Sequence, residues 1–182
     1  MKRVFMFSAI LSVIFLMFSA CDSAMPAIEE QPYLIVAGNR VTLNVQYVQY
    51  IRTGFIYQSP SPIITIVSST DELKEYYEDN RIGIYDGYGN LLPDENFLNA
   101  IAKYTDNFFA ENVLIIVGLT ENSGSNRHRV KRINENGEIV IHRLLPAMPG
   151  TADMASWSIL IELDRSHKVE QYSVTLIDVT NY

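Results

Sequence analysis

One cysteine, one tryptophan and three histidines are spread over 182 residues. A single cysteine excludes a disulfide framework, so stability has to come from a packed core. The histidines have no His-x-x-x-His spacing and no carboxylate pair at ligand spacing, so no metal motif is present. Asp86 and Asn90 are the only side-chain oxygen ligands offered by the loop at 86–90, which lacks the twelve-residue calcium pattern. Glycine is also sparse: Gly87 and Gly89 do not open a helix, so no phosphate-cradling loop is read. Basic charge is short as well. Without Lys2 and Arg3, 12 basic side chains face 21 acidic ones, a net charge of −9. That balance excludes general nucleic-acid binding, which needs a clustered basic face.

The N-terminus is a targeting segment. Lys2 and Arg3 precede an apolar stretch over residues 4–18, broken by Ser8 and Ser12, and Ser19 and Ala20 stand before Cys21. This layout is a secretory signal over residues 1–20. Its ending resembles a bacterial lipobox, with Phe18 where that pattern usually has Leu. Cys21 is therefore expected to be lipidated as the mature N-terminus, holding the protein to the outer face of the cell membrane. The other reading is an ordinary cleaved signal, which would leave a lone thiol in an exported protein. Residues 21–32 carry Pro26, Glu29 and Glu30 without periodicity and read as a lipidated N-terminus and flexible spacer. Residues 33–182 are one domain in size.

Within that domain, residues 113–119 form an apolar, β-branched run that reads as a strand buried on both faces. It is too short for a membrane helix, which needs roughly 20 apolar residues. Upstream, strands are expected at 33–37, 40–47 and 63–67. Ser69 and Glu72 form a capping box opening a helix to about residue 80, with Leu73, Tyr76 and Tyr77 inward. Asp94 caps a second helix in which Phe97, Ile101, Tyr104 and Phe108 recur at helical spacing. Downstream, strands are expected at 127–133, 138–145, 156–163 and 172–179, with Trp157 in phase with Ile159, Ile161 and Leu163. Gly137, in a left-handed turn, should pair Ile133 with Ile139. The pattern is α+β: a mainly antiparallel sheet of about eight strands, with two helices in the first half.

No catalytic constellation emerges. Ser123, Gly124 and Ser125 follow a strand without opening a helix, so they are not a nucleophile elbow. His128, His142 and His167 could serve as bases, with Asp153 or Asp164 as orienters, but no spacing supports a triad. The most unusual feature is Arg127, Arg129, Lys131 and Arg132, four cations within six residues of an acidic chain. Beside the turn at 120–126 they could bind an anionic or acidic partner. The alternative is a sheet face balanced by cross-strand acids such as Glu138 or Glu162. Tyr47, Tyr50, Phe55, Tyr57, Tyr76 and Tyr77 form an aromatic group for which core packing is the default.

Several pieces of the chain resemble an uncharacterised lipoprotein family of clostridia and related Gram-positive bacteria. They are residues 104–109, the apolar strand, residues 123–128 and residues 151–157, with 50–53 and 71–77 upstream. The second half is similar, at the level of pattern, to the C-terminal domain of the protease-complex subunit PrcB family. The first resemblance implies a surface location, the second a non-catalytic accessory role. The expected protein is thus a membrane-anchored binding protein without cofactor or metal, whose partner is a protein or peptide at the cell surface. Its candidate binding residues are Ser123, Ser125, Asn126, Arg127, His128, Arg129 and Asp153. A cell-wall hydrolase and a structural surface spacer are the competing classes.

Overall fold

Every side chain from Val113 to Val117, and that of Leu119, is fully closed to solvent in the computed structural model. A strand of this composition has no polar face to offer water, so both its faces must be covered. The structure describes residues 43, 45–53, 61–80, 82–85, 88–147 and 150–180. The signal, Cys21, the spacer, the strand expected at 33–37, most of that at 40–47, Phe55 and Tyr57 lie outside them.

The elements run β1 (Val45–Thr53), β2 (Ile63–Val67), α1 (Thr70–Asp79), β3 (Gly83–Tyr85), β4 (Leu91–Pro93), α2 (Glu95–Ile101), α3 (Asp106–Glu111) and β5 (Asn112–Glu121). Then follow β6 (Arg127–Ile133), β7 (Glu138–Leu145), β8 (Ala155–Asp164) and β9 (Ser173–Thr180). The protein is α+β. Its strands divide into an antiparallel four-stranded sheet in the order β1-β8-β5-β2, a three-stranded sheet β6-β7-β9 and the small pair β3-β4. Among the described residues, only the β7–β9 pairing is parallel.

The alternation of β5 assigns the two covers. Its odd residues, with Trp157, Ile159, Ile161 and Leu163 of β8, meet Val130, Ile133, Ile139 and Ile141 of the three-stranded sheet. Its even residues Leu114 and Ile116, with Leu160, Ile51 and Val67, meet Leu73, Tyr76, Phe97, Ala100 and Phe109 of the helices. The result is three layers, with helices, the four-stranded sheet and the three-stranded sheet stacked in that order. Each fully buried aliphatic side chain contributes about 1.5–3 kcal/mol, so this central strand is the main hydrophobic anchor.

Local signals hold at most positions. The Ser69 hydroxyl accepts from the Glu72 amide at 3.1 Å, and Asp94 accepts from the Phe97 amide at 3.1 Å. Glu72, however, accepts from the amide of Ser68 at 2.6 Å, one residue earlier than the capping box requires. Helix 94–108 is in fact two helices. The break lets Lys103 and Tyr104 turn onto Glu162, at 2.9 and 3.1 Å, and brings the rings of Tyr104, Phe108 and Phe109 together. Strand β1 runs on to Thr53, past the expected end at Tyr47. A bulge between Val45 and Tyr47 shifts its register, so Val45, Val48 and Tyr50 pack on the inter-sheet core.

The β6–β7 turn pairs Ile133 with Ile139, with Gly137 at φ +82°. A Cβ there would collide with the Gln171 carbonyl oxygen and lie 2.8 Å from Val169 Cγ2. Gly137→Ala should therefore destabilise by at least about 2 kcal/mol, from left-handed backbone and steric displacement together. Denaturant unfolding at constant m-value would check it, and an unchanged midpoint would count against this turn geometry.

Candidate functional site

At the end of β5 the inward phase reaches a charged residue. Glu121 follows Val113, Ile115, Val117 and Leu119 at period two, and is 2% exposed. On β6, His128 shares the inward phase of Val130. The corner between the two sheets therefore places a carboxylate and an imidazole together inside the sandwich. His128 Nε2 lies 2.9 Å from Glu121 Oε1, with the His128 side chain fully buried. Asn126 Nδ2 donates to Glu121 Oε2 at 2.8 Å, and Arg143 Nη1 stands 3.6 Å from that oxygen. Arg143 is held in turn by a bidentate pair to Asp178 at 2.8 and 2.9 Å. Burial alone would raise the Glu121 carboxyl. The hydrogen bonds from His128 and Asn126, and the charges of His128 and Arg143, outweigh it and hold the group below the usual glutamate range.

Around this buried cluster, two loops lock together. The Gly124 amide donates to the Asp153 carbonyl at 2.9 Å. The Ser125 hydroxyl accepts from the Thr151 amide and meets the Thr151 hydroxyl, both at 3.0 Å. The Ser123 hydroxyl accepts from the Ser125 amide at 3.3 Å. Arg52 Nη2 pairs with Asp153 Oδ2 at 2.7 Å. The Thr151 hydroxyl and Arg52 keep the Asp153 carboxyl below the ordinary aspartate range. Gly124 admits this approach because a Cβ there would strike the Asp153 carboxylate and lie 2.6 Å from Arg52 Nη2. Arg127 folds back, donating to the carbonyls of Gly124 and Asn126 at 2.8 and 3.0 Å, with its guanidinium carbon 5.4 Å from the Trp157 ring centroid. His128 meets the same indole edge-on.

Ser123, Ser125, Asn126, Arg127, His128 and Asp153 thus converge on one corner. Asn126 and His128 build it from inside and do not reach the surface. Arg129 belongs elsewhere, exposed on the outer face of β6 and opposite His142. Glu162, expected as a counter-charge for the basic strand, lies in the other sheet with Lys103 and Tyr104, whereas Glu138 does face Arg132, at 4.0 Å. The sequence reading missed Glu121, Arg52, Thr151 and Arg143. Only Glu121 had a legible signal, its period-two phase on a buried strand.

The chemistry available here is cohesion. The hydroxyls of Ser123 and Ser125 bond within the two loops and to no histidine. His128 Nδ1 and Trp157 Nε1 are buried without a hydrogen-bond partner. His142 is half-buried on the outer sheet, and His167 is exposed in the turn Arg165–His167. Among the described residues, no group of three or more His, Cys, Asp or Glu could hold a metal ion. None of their helices is long and apolar enough to cross a membrane. Comparison with family models, curated proteins and solved structures gives no match, so the geometry has to carry the functional reading.

Removing Glu121 would leave His128 and Asn126 buried without their acceptor. Glu121→Ala should cost about 3 kcal/mol. Because the carboxyl is depressed in the folded state, its contribution is present above the unfolded-state value and is lost as pH falls through the folded one. Stability measured from neutral pH down into the acid range should therefore fall less steeply in Glu121→Gln than in the parent chain. Parallel profiles would contradict an ionised Glu121 in the fold.

Proposed function

We propose that the protein is a membrane-anchored extracytoplasmic lipoprotein, tethered through Cys21, that binds a protein or peptide at the cell surface without catalysing a reaction. The observation that carries this reading is the corner where loops 122–126 and 150–154 are joined by hydrogen bonds into one rim. A surface fixed before encounter loses less freedom on binding than a mobile one. This rim presents the Arg52–Asp153 pair, half-exposed on both sides, and Met154, a residue 58% exposed. Methionine beside charge is an adaptable apolar contact with a polar margin.

The resemblance to surface lipoproteins and the lipobox-like end of the signal support the location. The looser similarity to the protease-subunit family supports an accessory role, with a surface protease as one such partner. A cell-wall hydrolase would need a nucleophile or acid–base pair open to substrate. The Glu121–His128 pair is enclosed, which favours binding over that alternative. A purely structural spacer gives no reason for an exposed methionine on a braced rim.

Two measurements test the reading. Mass spectrometry of the mature chain should find a lipid-modified Cys21 as its first residue, and an unmodified Cys21 would end the anchoring reading. A photo-crosslinking residue at position 154, in the full chain within its native envelope, should give one discrete protein adduct. Excess unlabelled protein should compete it away, and a crosslinker at exposed Gln171 should not give it. The same adducts from both positions would remove the rim as the binding surface.

A further inference from the structure

Two of the four cations of the basic strand, Arg127 and Arg132, are spent inside the fold, and two are not. Among the described residues, every lysine and arginine other than Arg129 and Lys131 reaches a carboxylate, a carbonyl or a hydroxyl. Arg129 and Lys131 are exposed on β6. In the outer sheet Arg129 stands opposite His142, and His142 opposite Ile177. Directly opposed residues share a face, so this surface runs from cation through imidazole to an isoleucine that is 42% exposed. Cations beside an exposed aliphatic side chain are the pattern of an interfacial membrane contact.

The route of the chain selects the membrane as occupant. The described structure begins at Leu43, whose amide donates to the carbonyl of Ile133, the last residue of β6, at 2.9 Å. Residues 22–42 are all that separate this point from Cys21. The strand bearing the free cations is therefore the strand beside which the tether arrives. Charge is also segregated across the layers. Helix α1 exposes Asp71, Glu72, Glu75, Glu78 and Asp79 against Lys74 alone. It lies on the far side of the four-stranded sheet, and packed sheets are about 10 Å apart. That exceeds the screening length of about 8 Å at physiological ionic strength. The outer sheet has acids of its own, but Glu138 is paired with Arg132 and Asp178 with Arg143, and the exposed Glu135 sits at the β6–β7 turn, so an anionic surface there meets Arg129 and Lys131 as the unpaired charges of the strand.

We infer that the outer face of the β6-β7-β9 sheet, at Arg129, Lys131, His142 and Ile177, docks on the anionic phosphate headgroups of the membrane that holds the anchor. This rests on the anchoring reading above. Docking there would turn the acidic helix layer away from the bilayer and fix the orientation of the rim. Each lysine or arginine near an anionic surface strengthens association about fivefold, so the two free cations together give about 25-fold.

The test uses the full lipidated chain purified from its envelope, with a fluorophore on Ser173→Cys of β9 or on Glu75→Cys of α1. It is reconstituted into vesicles of phosphatidylcholine alone or of phosphatidylcholine with an equal part of phosphatidylglycerol, each carrying a headgroup quencher. Quenching at position 173, but not at 75, should appear in the anionic vesicles, weaken with added salt and vanish in Arg129→Glu/Lys131→Glu. Circular dichroism of that variant confirms its fold. Incorporation into both vesicles without charge-dependent quenching would overturn docking while leaving the anchor intact, and would hand the face to an acidic protein. Failure to incorporate into either vesicle would overturn the anchor reading and this inference with it.

Discussion

A strand with no polar side imposes the architecture. The odd and even side chains of β5 are equally closed to water, so one cover is not enough. A helix layer alone would leave Val113, Ile115, Val117 and Leu119 in solvent, and a second sheet alone would leave Leu114 and Ile116 there. Burying both faces accounts for two hydrophobic clusters in one small domain, and for a central strand bonded on both edges, to β2 and to β8. It also explains why the chain leaves the four-stranded sheet immediately after β5. Strand β6 crosses to the other layer, and the crossing makes the corner on which the rim is built.

That crossing carries the cost of the design. A chain that changes sheets at the end of a core strand exposes backbone polar groups where the apolar layers no longer seal. Unpaired, each buried donor or acceptor would cost about 1–3 kcal/mol. The corner meets this with the Gly124 and Asn126 amides, which donate to the Asp153 and Ser123 carbonyls, and with Arg127, which donates to the carbonyls of Gly124 and Asn126. Beneath them Glu121 accepts from the Asn126 side chain and is joined by His128 and by the Arg143–Asp178 pair. Breaking a buried pair costs more than forming it gains. The members of the cluster therefore depend on one another: loss of Glu121 leaves His128 and Asn126 buried without their acceptor. The hydroxyls, carbonyls and Gly124 of the two surface loops continue the same bonding outward, which is why the rim is braced.

Much of this was legible in the chain. The edges of β2, β6 and β7 follow directly from alternation and turn residues. The Ile133–Ile139 pairing follows from where a left-handed glycine can sit. Trp157 falls in the core by its phase. Other features were hidden for physical reasons. Periodicity gives the face of a strand but not its neighbour, so the division into two sheets and the parallel β7–β9 contact had no local mark. A bulge is a one-residue event with no obligatory residue type, and the one in β1 inverted the faces of a regular alternation. The helix break at 102–105 lies in a stretch without Gly or Pro. It is favoured by a contact to Glu162, 58 residues away. At the corner, Ser123, Ser125, Arg127 and Asp153 could be named from composition and turn chemistry. Arg52 could not, since its partner is 101 residues distant.

The same topology sorts the charges. Once β5 and β8 are covered on both faces, the surface left to water belongs chiefly to the helix layer and the outer sheet. The first turn of α1 carries Asp71 and Glu72, which suits a helix N-terminus, where negative charge is stabilised. The outer sheet receives β6, whose inward positions must be apolar or satisfied and whose outward positions are free. Arg127 and Arg132 are drawn into local bonds to carbonyls and to Glu138, whereas Arg129 and Lys131 are not. Neutralising them would have needed acids on β7, the strand with which β6 pairs, but its one acid, Glu138, already faces Arg132. A domain of net negative charge thereby keeps a basic face, and the separation of the two is a consequence of layering. If the domain is tethered as proposed, that separation gives it a preferred side toward an anionic surface without any residue beyond those the fold already places.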